Sequence, residues 1–130
     1  EGTDFLLIDI PGGLRHETIS ALRAGHELLL VITPQMTAVS DALKTRLVGE
    51  FLGLKPIGIV LNRTRKEEFE LARSEIKNIL KLPVLAEIPE DASVRKALKL
   101  GKPVIELSPK SSASKAIKAL AKKIVRMKVD

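Results

Sequence analysis

Cysteine, tryptophan and tyrosine are absent from this sequence of 130 residues. The absence of cysteine excludes disulfides, thiolate metal sites and cysteine nucleophiles within these residues. No run of eighteen apolar residues occurs, which excludes a transmembrane helix in the sequence as it stands. The first residue is not methionine, and we interpret Glu1 as a cut or processed start. Apolar residues still make up 45% of the sequence, so residues 1–130 can form a single α/β domain with its own core.

Apolar, β-branched runs alternate with segments of helical period along the chain. The runs are near-continuously apolar, which is typical of strands covered on both faces. Strands and helices in alternation predict βαβ units, and therefore a parallel sheet flanked by helices. The predicted strands cover residues 4–10, 28–33, 57–61 and 84–88, with a short fifth strand at 104–107. The predicted helices cover residues 39–52, 69–80 and 92–100, the third capped by Asp91, and a last helix begins at Ser111 or Ser112.

The order of these elements predicts a fold that is incomplete at its amino terminus. A strand over residues 4–10 opens the chain, whereas a doubly wound nucleotide-binding fold begins one or two βα units earlier. We therefore expect these residues to be the second half of a longer domain.

Polar or glycine-rich turns follow four of the predicted strands, at residues 9–13, 33–35, 62–63 and 89–91. Ligands of open parallel sheets bind beyond the carboxyl ends of the strands, so we expect a binding site at this edge. An apolar run followed by Asp9 is the Walker B pattern, in which the carboxylate holds Mg²⁺ through water. Gly12 or Gly13 would let a backbone N–H approach a γ-phosphate. The alternative is that Asp9 only caps the next helix.

A second candidate for binding is Asn62, which directly follows the apolar run at 57–61. An amide at a strand end can pair with both N6 and N7 of adenine. Guanine-binding sites have an acidic residue three positions after the asparagine, and here that position is Arg65, which disfavours guanine. Taken without the other strand ends, a plain turn asparagine would be the preferred explanation.

The net charge of +6 is concentrated at the carboxyl-terminal end of the chain. Acidic and basic side chains cancel over residues 1–109, so the whole excess lies in residues 110–130. The predicted last helix has an apolar face and a basic face. It can dock on the core with its basic face solvated, contact an anionic membrane through residues 113–128, or bind DNA. We expect docking at Ile117 and Leu120, with the chain end at 124–129 free for a surface.

Five segments of the sequence share their order and spacing with one known family. They resemble the carboxyl-terminal half of the MinD branch of the ParA/MinD P-loop ATPases, closest to archaeal-type MinD, over essentially the whole chain. The phosphate-binding GKGGxGKT motif of that family does not occur, and Gly12 replaces its usual alanine. The iron–sulfur carrier branch is disfavoured because it uses a CxxC pair. The segments read DFLLIDIPGGL, VITPQMTAVSDALKT, IGIVLNRTRKE, PVLAEIPEDASVRKAL and GKPVIELSP.

The resemblance implies roles for individual residues. Asp9 would be the Walker B carboxylate and would hold Mg²⁺ through water. Gly12 and Gly13 would form the switch turn that contacts the γ-phosphate. The residues that would hold the adenine of ATP and close over it are Asn62, Arg63, Pro89, Glu90 and Asp91.

The resemblance also implies a function for the intact protein. It would bind ATP and Mg²⁺, form a homodimer when ATP-bound, and hydrolyse ATP to position division machinery or cargo. It would act in the cytoplasm or peripherally on the inner face of the cell membrane, with an activator or cargo protein as partner. Without a phosphate-binding loop we expect no hydrolysis by these 130 residues alone. The alternatives are a stand-alone interaction module without catalysis and a ParA-type ATPase for DNA partition.

Overall fold

Three strands form one parallel sheet in the part of the chain that the computed structural model describes, residues 2–129. Leu30 of the first strand is registered with Ile59 of the second, and Asn62 of the second with Ile88 of the third. This register brings the carboxyl ends of the three strands to one edge. Glu1, interpreted above as a cut start, lies outside the described range. In sheet order the strands are β1 (Glu27–Ile32), β2 (Lys55–Thr64) and β3 (Val84–Pro89).

The middle strand, β2, is buried on both of its faces. Ile59, Val60 and Leu61 are each at most 1% exposed. Because successive residues of a strand point to opposite faces, three buried residues in a row mean that both faces are covered. This burial is what the near-continuous apolar run predicts, and the α/β fold with a parallel sheet and flanking helices is confirmed.

The four predicted helices form within about four residues of the expected positions, whereas helix α1 was not predicted from the sequence. The Asp91 carboxylate accepts a hydrogen bond from the Ser93 N–H at 2.8 Å, which caps the amino end of α4. Gly101 ends α4 with φ +62°, and Gly53 follows α2 with φ +90°, conformations that favour glycine. Within residues 2–129 the helices are α1 (His16–Arg23), α2 (Met36–Phe51), α3 (Arg73–Leu80), α4 (Ala92–Leu100), α5 (Val104–Leu107) and α6 (Ser112–Val129).

The strand predicted at residues 4–10 does not form. Residues 3–10 have no regular secondary structure, and Leu6 and Leu7 are 80% and 84% exposed. A strand needs a neighbour to pair its backbone groups, and no strand among the described residues lies beside this segment. The prediction of a strand at residues 4–10 is therefore wrong for the described structure.

Two further boundaries differ from the prediction. Residues 104–107 form the short helix α5 because Pro103, with φ −63°, precedes it and its carbonyl accepts the N–H groups of Glu106 and Leu107. The helix predicted from residue 69 begins only at Arg73. The Glu70 carboxylate accepts the N–H groups of Arg65 and Lys66 and holds the preceding segment as a loop instead.

The predicted apolar stripe of α2 is only partly buried. Val39 and Ala42 pack in the core, whereas Leu47 is 56% exposed and Phe51 is 89% exposed. The stripe is wider than the surface of the sheet that α2 covers, so its outer members face away from the core.

The last helix, α6, docks on the sheet at β3. Ala113 is fully buried, Ile117 and Leu120 are half-buried, and the Lys123 ammonium donates to the Leu85 carbonyl of β3 at 3.3 Å. The docked arrangement expected for Ile117 and Leu120 is therefore present. Near the chain end, Lys128 forms an ion pair with Glu27 at the start of β1. None of the helices described in residues 2–129 is long and apolar enough to cross a membrane.

Candidate functional site

Pairing of β2 with β3 brings two of the predicted binding segments together. Asn62 is registered with Ile88, and the Glu90 N–H donates to the Thr64 carbonyl at 3.0 Å. The turn after β3, residues 89–91, therefore lies directly beside the end of β2. Arg63 adopts a left-handed backbone conformation with φ 57°, which few non-glycine residues do. This bend lies at the irregular step in the strand register between Asn62 and Thr64.

Three guanidinium groups surround the Glu90 carboxylate at this edge. Arg63 Nε lies 2.9 Å from Glu90 Oε2, Arg95 Nη1 lies 2.8 Å from Oε1, and Arg65 Nη2 lies 3.7 Å from Oε2. The hydrogen bond from Arg63, with the charges of all three arginines, holds the pKa of Glu90 below its usual range. Arg65 is also paired with Glu67, with its Nη1 lying 3.7 Å from Glu67 Oε1. The contribution of Arg65 and Arg95 was not predicted from the sequence, because neither lies in a strand-end motif.

The Asp91 side chain is engaged in structural hydrogen bonds. Its Oδ2 accepts from the Ala113 N–H at the start of α6, at 3.0 Å, and its Oδ1 accepts from Ser93. The bond from Ala113, followed by that from Ser93, lowers the pKa of Asp91. One carboxylate thus caps α4 and joins the turn after β3 to α6. The helix cap was predicted from the sequence, but the bond to Ala113 was not, since 22 residues separate the two partners.

The loop after β2 is held by a residue that the sequence analysis did not assign to the site. Glu70 accepts the N–H groups of Arg65 at 2.7 Å and of Lys66 at 3.1 Å. Lys66 has φ 56°, and the loop is also fastened to the turn after β1, where the Leu71 N–H donates to the Pro34 carbonyl at 2.9 Å. The signal available in the sequence was the carboxylate of Glu70, five residues after Arg65, which can accept backbone N–H groups of the loop.

Asp9, Gly12 and Gly13 lie in an open turn at the other side of the sheet. All three are exposed, and Gly13 has φ +92°. A side chain added at Gly12 would meet no atom within 4 Å among the described residues, so the backbone there is accessible to a ligand. These residues line a groove of about 1340 Å³ together with β1 and Thr33, which follows β1.

The predicted site residues therefore fall into two groups. Asn62, Arg63 and residues 89–91 form one cluster at the ends of β2 and β3, whereas residues 9–13 line the groove beside β1. No hydrogen bond or ion pair found within residues 2–129 joins the two groups.

The turn at Asp9 has one carboxylate that could hold a divalent cation. No group of three or more His, Cys, Asp or Glu side chains that could hold a metal ion occurs in the described part of the chain. Mg²⁺ keeps several of its waters and takes only one or two protein carboxylates, so an exposed single carboxylate such as Asp9 fits it.

Comparison with models of known protein families shows to which family the chain belongs. The family model described as "ParA: NUBPL iron-transfer P-loop NTPase" matches residues 1–125. The chain belongs to the ParA/MinD family of P-loop NTPases. The resemblance seen in the sequence motifs is thereby confirmed.

Curated members of the ParA/MinD family are similar over nearly the whole chain. An uncharacterized ATP-binding protein of Methanocaldococcus jannaschii is 37% identical over 127 residues, which are 98% of this chain and 48% of that protein. The chloroplastic septum site-determining protein minD homolog of Arabidopsis thaliana is 32% identical over 94% of this chain and 39% of its own length. The chain thus spans about half the length, or less, of these relatives.

Solved structures of MinD share the fold. The cell division ATPase MinD of Pyrococcus furiosus has a TM-score of 0.90 and 35% identity, over 95% of this chain and 52% of that one. MinD of Pyrococcus horikoshii, solved with Mg-ADP, has a TM-score of 0.88 and 33% identity, over 93% and 50%. MinD of Aquifex aeolicus in its complex with MinC has a TM-score of 0.83 and 26% identity, over 94% and 52%.

Proposed function

We propose that residues 1–130 form a single α/β domain half, the carboxyl-terminal half of a MinD-type ATPase. The intact protein binds and hydrolyses ATP to place division machinery or another cargo. The observation that carries this proposal is the juxtaposition of Asn62 with residues 89–91 at the carboxyl edge of the sheet. Similarity to a MinD structure solved with Mg-ADP supports the choice of nucleotide.

The cluster at the ends of β2 and β3 is suited to the base of ATP. The half-buried Asn62 amide offers a donor and an acceptor, which match N6 and N7 of adenine. Pro89 is paired with Thr64 at the end of β2, and Glu90 follows it, so that the two residues form the wall beside the base. Arg63 is positioned by its ion pair with Glu90 and presents positive charge at this wall.

The turn at residues 9–13 is suited to the phosphate end. Asp9 would hold Mg²⁺, and the ion would supply charge neutralisation at the phosphates. The open backbone at Gly12 and Gly13 presents N–H groups to a γ-phosphate. The phosphates themselves need a loop of the GKGGxGKT type, which residues 1–130 do not contain.

Membership of the family and the exposed basic face of α6 support a proposal for the partners. The ATP-bound protein forms a homodimer and responds to an activator or cargo protein; MinD of Aquifex aeolicus is solved with MinC. Lys115, Lys122 and Arg126 are exposed on α6 and provide a contact for anionic lipid over residues 113–128. The protein then divides its time between the cytoplasm and the inner face of the cell membrane.

The proposal is tested by substituting Asp9 in the full-length protein, in which residues 1–130 are joined to a segment carrying GKGGxGKT. Asp9→Ala should abolish ATP hydrolysis and leave nucleotide binding largely intact, because the phosphate-binding loop supplies most of the affinity. Asp4→Ala is the matched control, an exposed carboxylate in the same segment whose loss should leave the rate unchanged. Hydrolysis at the parental rate by Asp9→Ala would show that Asp9 does not act on Mg²⁺.

A further inference from the structure

The Asn62 amide does not by itself separate adenine from guanine. Its NH2 group can donate to N7 of either purine, and guanine O6 is a further acceptor for the same group. The two bases differ most at ring positions 1 and 2, where adenine has the acceptor N1 and guanine has the donors N1–H and N2–H2. A site that binds position 7 through Asn62 therefore discriminates between them through the groups that face positions 1 and 2.

Two carboxylates in the turn after β3 are the groups that would bind guanine most strongly. A free carboxylate only accepts hydrogen bonds, and its two oxygens would match guanine N1–H and N2–H2. Asp91 is not free, because its Oδ1 accepts from the Ser93 N–H at 2.8 Å and its Oδ2 from the Ala113 N–H at 3.0 Å. Glu90 differs, since its carboxylate is engaged by side chains, which a substitution can remove.

The two oxygens of Glu90 are engaged by different arginines. Oε2 lies 2.9 Å from Arg63 Nε and 3.7 Å from Arg65 Nη2, whereas Oε1 lies 2.8 Å from Arg95 Nη1. No other ion pair or hydrogen bond to Oε1 is present among residues 2–129, so Arg95 alone engages that oxygen. The side chain of Arg95 is 64% exposed and that of Glu90 is 18% exposed. Removal of Arg95 would therefore free Oε1 without disturbing the core.

Arg95 reaches Glu90 from a different element than the other two arginines. It lies in α4, whose amino end is fixed by the Asp91 cap, whereas Arg63 and Arg65 belong to the end of β2 and the loop after it. A guanidinium group only donates hydrogen bonds. Guanine would bring its own donors against these donors, which is unfavourable, whereas N1 of adenine is an acceptor.

We propose that Arg95 is a specificity-determining residue, which excludes guanine from the base site by occupying Oε1 of Glu90. Arg65 supports it at Oε2, and it stands three positions after Asn62, where guanine-binding sites have an acidic residue. The inference rests on the proposed function, since it concerns the base of the nucleotide that the intact protein binds.

The test compares ADP with GDP in the full-length protein by titration calorimetry, because diphosphates are not turned over during the measurement. The parent should bind ADP more tightly than GDP. Arg95→Ala should raise the affinity for GDP relative to that for ADP by at least about fivefold, the lower end of what a bidentate base contact contributes. The ratio of the two affinities is measured, because a loss of stability or of positive charge would weaken both nucleotides alike.

Lys96→Ala is the matched control. Lys96 is the neighbouring exposed cation of α4, and no ion pair of Lys96 is present in the described part of the chain, so its loss should leave the ratio at the parental value. Arg95→Lys keeps a positive charge and a donor beside Glu90 and should retain most of the preference for ADP.

The double variant Arg95→Ala/Glu90→Ala shows whether the change acts through Glu90. It lacks the carboxylate that would accept from guanine, so the gain in relative affinity for GDP should disappear. A gain that persists in the double variant would overturn the inference, because guanine would then be bound by another group.

Failure of the inference differs from failure of the proposed function. A parent that binds ADP more tightly, with an unchanged ratio in Arg95→Ala, would overturn the role of Arg95 and leave the proposed function in place. A parent that binds ADP and GDP equally would also overturn that role alone. A parent that binds neither nucleotide would contradict the proposed function and the inference together.

Discussion

Two segments of this protein have the same sequence pattern and opposite burial. Residues 57–61 and residues 4–8 are both nearly continuous apolar runs, and each leads directly to a polar residue with a proposed role in binding. In β2 the residues Ile59 and Leu61 are at most 1% exposed, whereas Leu6 and Leu7 are more than three-quarters exposed. The two runs differ in their neighbours, since β2 lies between two strands and residues 4–8 lie beside none within residues 2–129.

This difference shows which part of a strand is encoded locally. An apolar run encodes a segment that requires cover on two faces, but it does not supply the strands that pair with its edges. The two polar residues with proposed roles in binding, Asn62 and Asp9, differ in the same way. Asn62 is held next to the turn after β3 by strand pairing, whereas Asp9 stands in an exposed turn.

The largest difference in the free energy of unfolding is expected between substitutions in the two apolar runs of the 130-residue chain. Leu61→Ala removes a fully buried side chain and should lower the free energy of unfolding by about 2–5 kcal/mol. Leu6→Ala changes an exposed side chain and should lower it by no more than about 0.5 kcal/mol. Urea denaturation of both variants measures the difference. Similar losses for the two would mean that residues 4–8 are already packed, and the comparison would fail.

The second effect concerns the two proposed halves of the nucleotide site. In the full-length protein Asn62→Ala should weaken ATP binding by about 1–3 kcal/mol, because it removes a bidentate contact to the base. Affinity for inorganic triphosphate should hardly change. Calorimetry with both ligands measures this, with the exposed Asn78→Ala of α3 as control. An equal loss for both ligands would assign Asn62 to supporting the turn.

A smaller effect should appear at Asp91 and depend on pH. The folded-state pKa of Asp91 is lowered, so its carboxylate stabilises the fold above the ordinary aspartate pKa of about 3.9. That stabilisation is lost as pH falls through the lowered folded-state value. Asp91→Asn should therefore reduce the urea midpoint at pH 7, by less than Leu61→Ala does, and the deficit should shrink below about pH 4. A deficit that is unchanged at pH 3 would mean that the charge of Asp91 is not involved.

The smallest effect on stability is expected on the outer face of α6. Changing Lys115, Lys122 and Arg126 together to Gln should leave the unfolding free energy within about 0.5 kcal/mol of the parent, since all three are exposed. The same change should reduce retention by anionic vesicles, and retention of the parent should fall as salt rises. Co-sedimentation at two salt concentrations tests both statements.

The control removes three exposed cations from other elements, through Lys44, Lys77 and Lys81 to Gln. This variant should keep its vesicle retention if the surface of α6 is specific. Equal retention by parent and both triple variants would exclude α6 as the membrane contact, and retention by DNA instead of vesicles would favour the DNA-partition alternative.

Much of the fold was predictable because local signals agree with the packing. Several of these signals determine the local structure from within a few residues. They are the apolar runs that form β1, β2 and β3, the helix cap at Asp91, and the glycine that ends α4. Two errors arose where a nearby residue overrides the apolar pattern. Helix α3 starts late because the carboxylate of Glu70 binds the loop after β2, and α5 replaces a predicted strand because Pro103 starts a helix there. The third error, the strand predicted at residues 4–10, arose because no strand among the described residues pairs with that segment.

The sequence by itself determined the family, the position of Asn62 near the end of a strand, and the concentration of positive charge in residues 110–130. These are properties of residue order and spacing, which need no partner to be present. Only the tertiary structure decided that three arginines converge on Glu90, that Asp91 joins the turn after β3 to α6, and that residues 4–10 stay unpaired beside an open groove. Each of these depends on groups far apart in sequence, and local patterns carry no information on which distant group fills a given space.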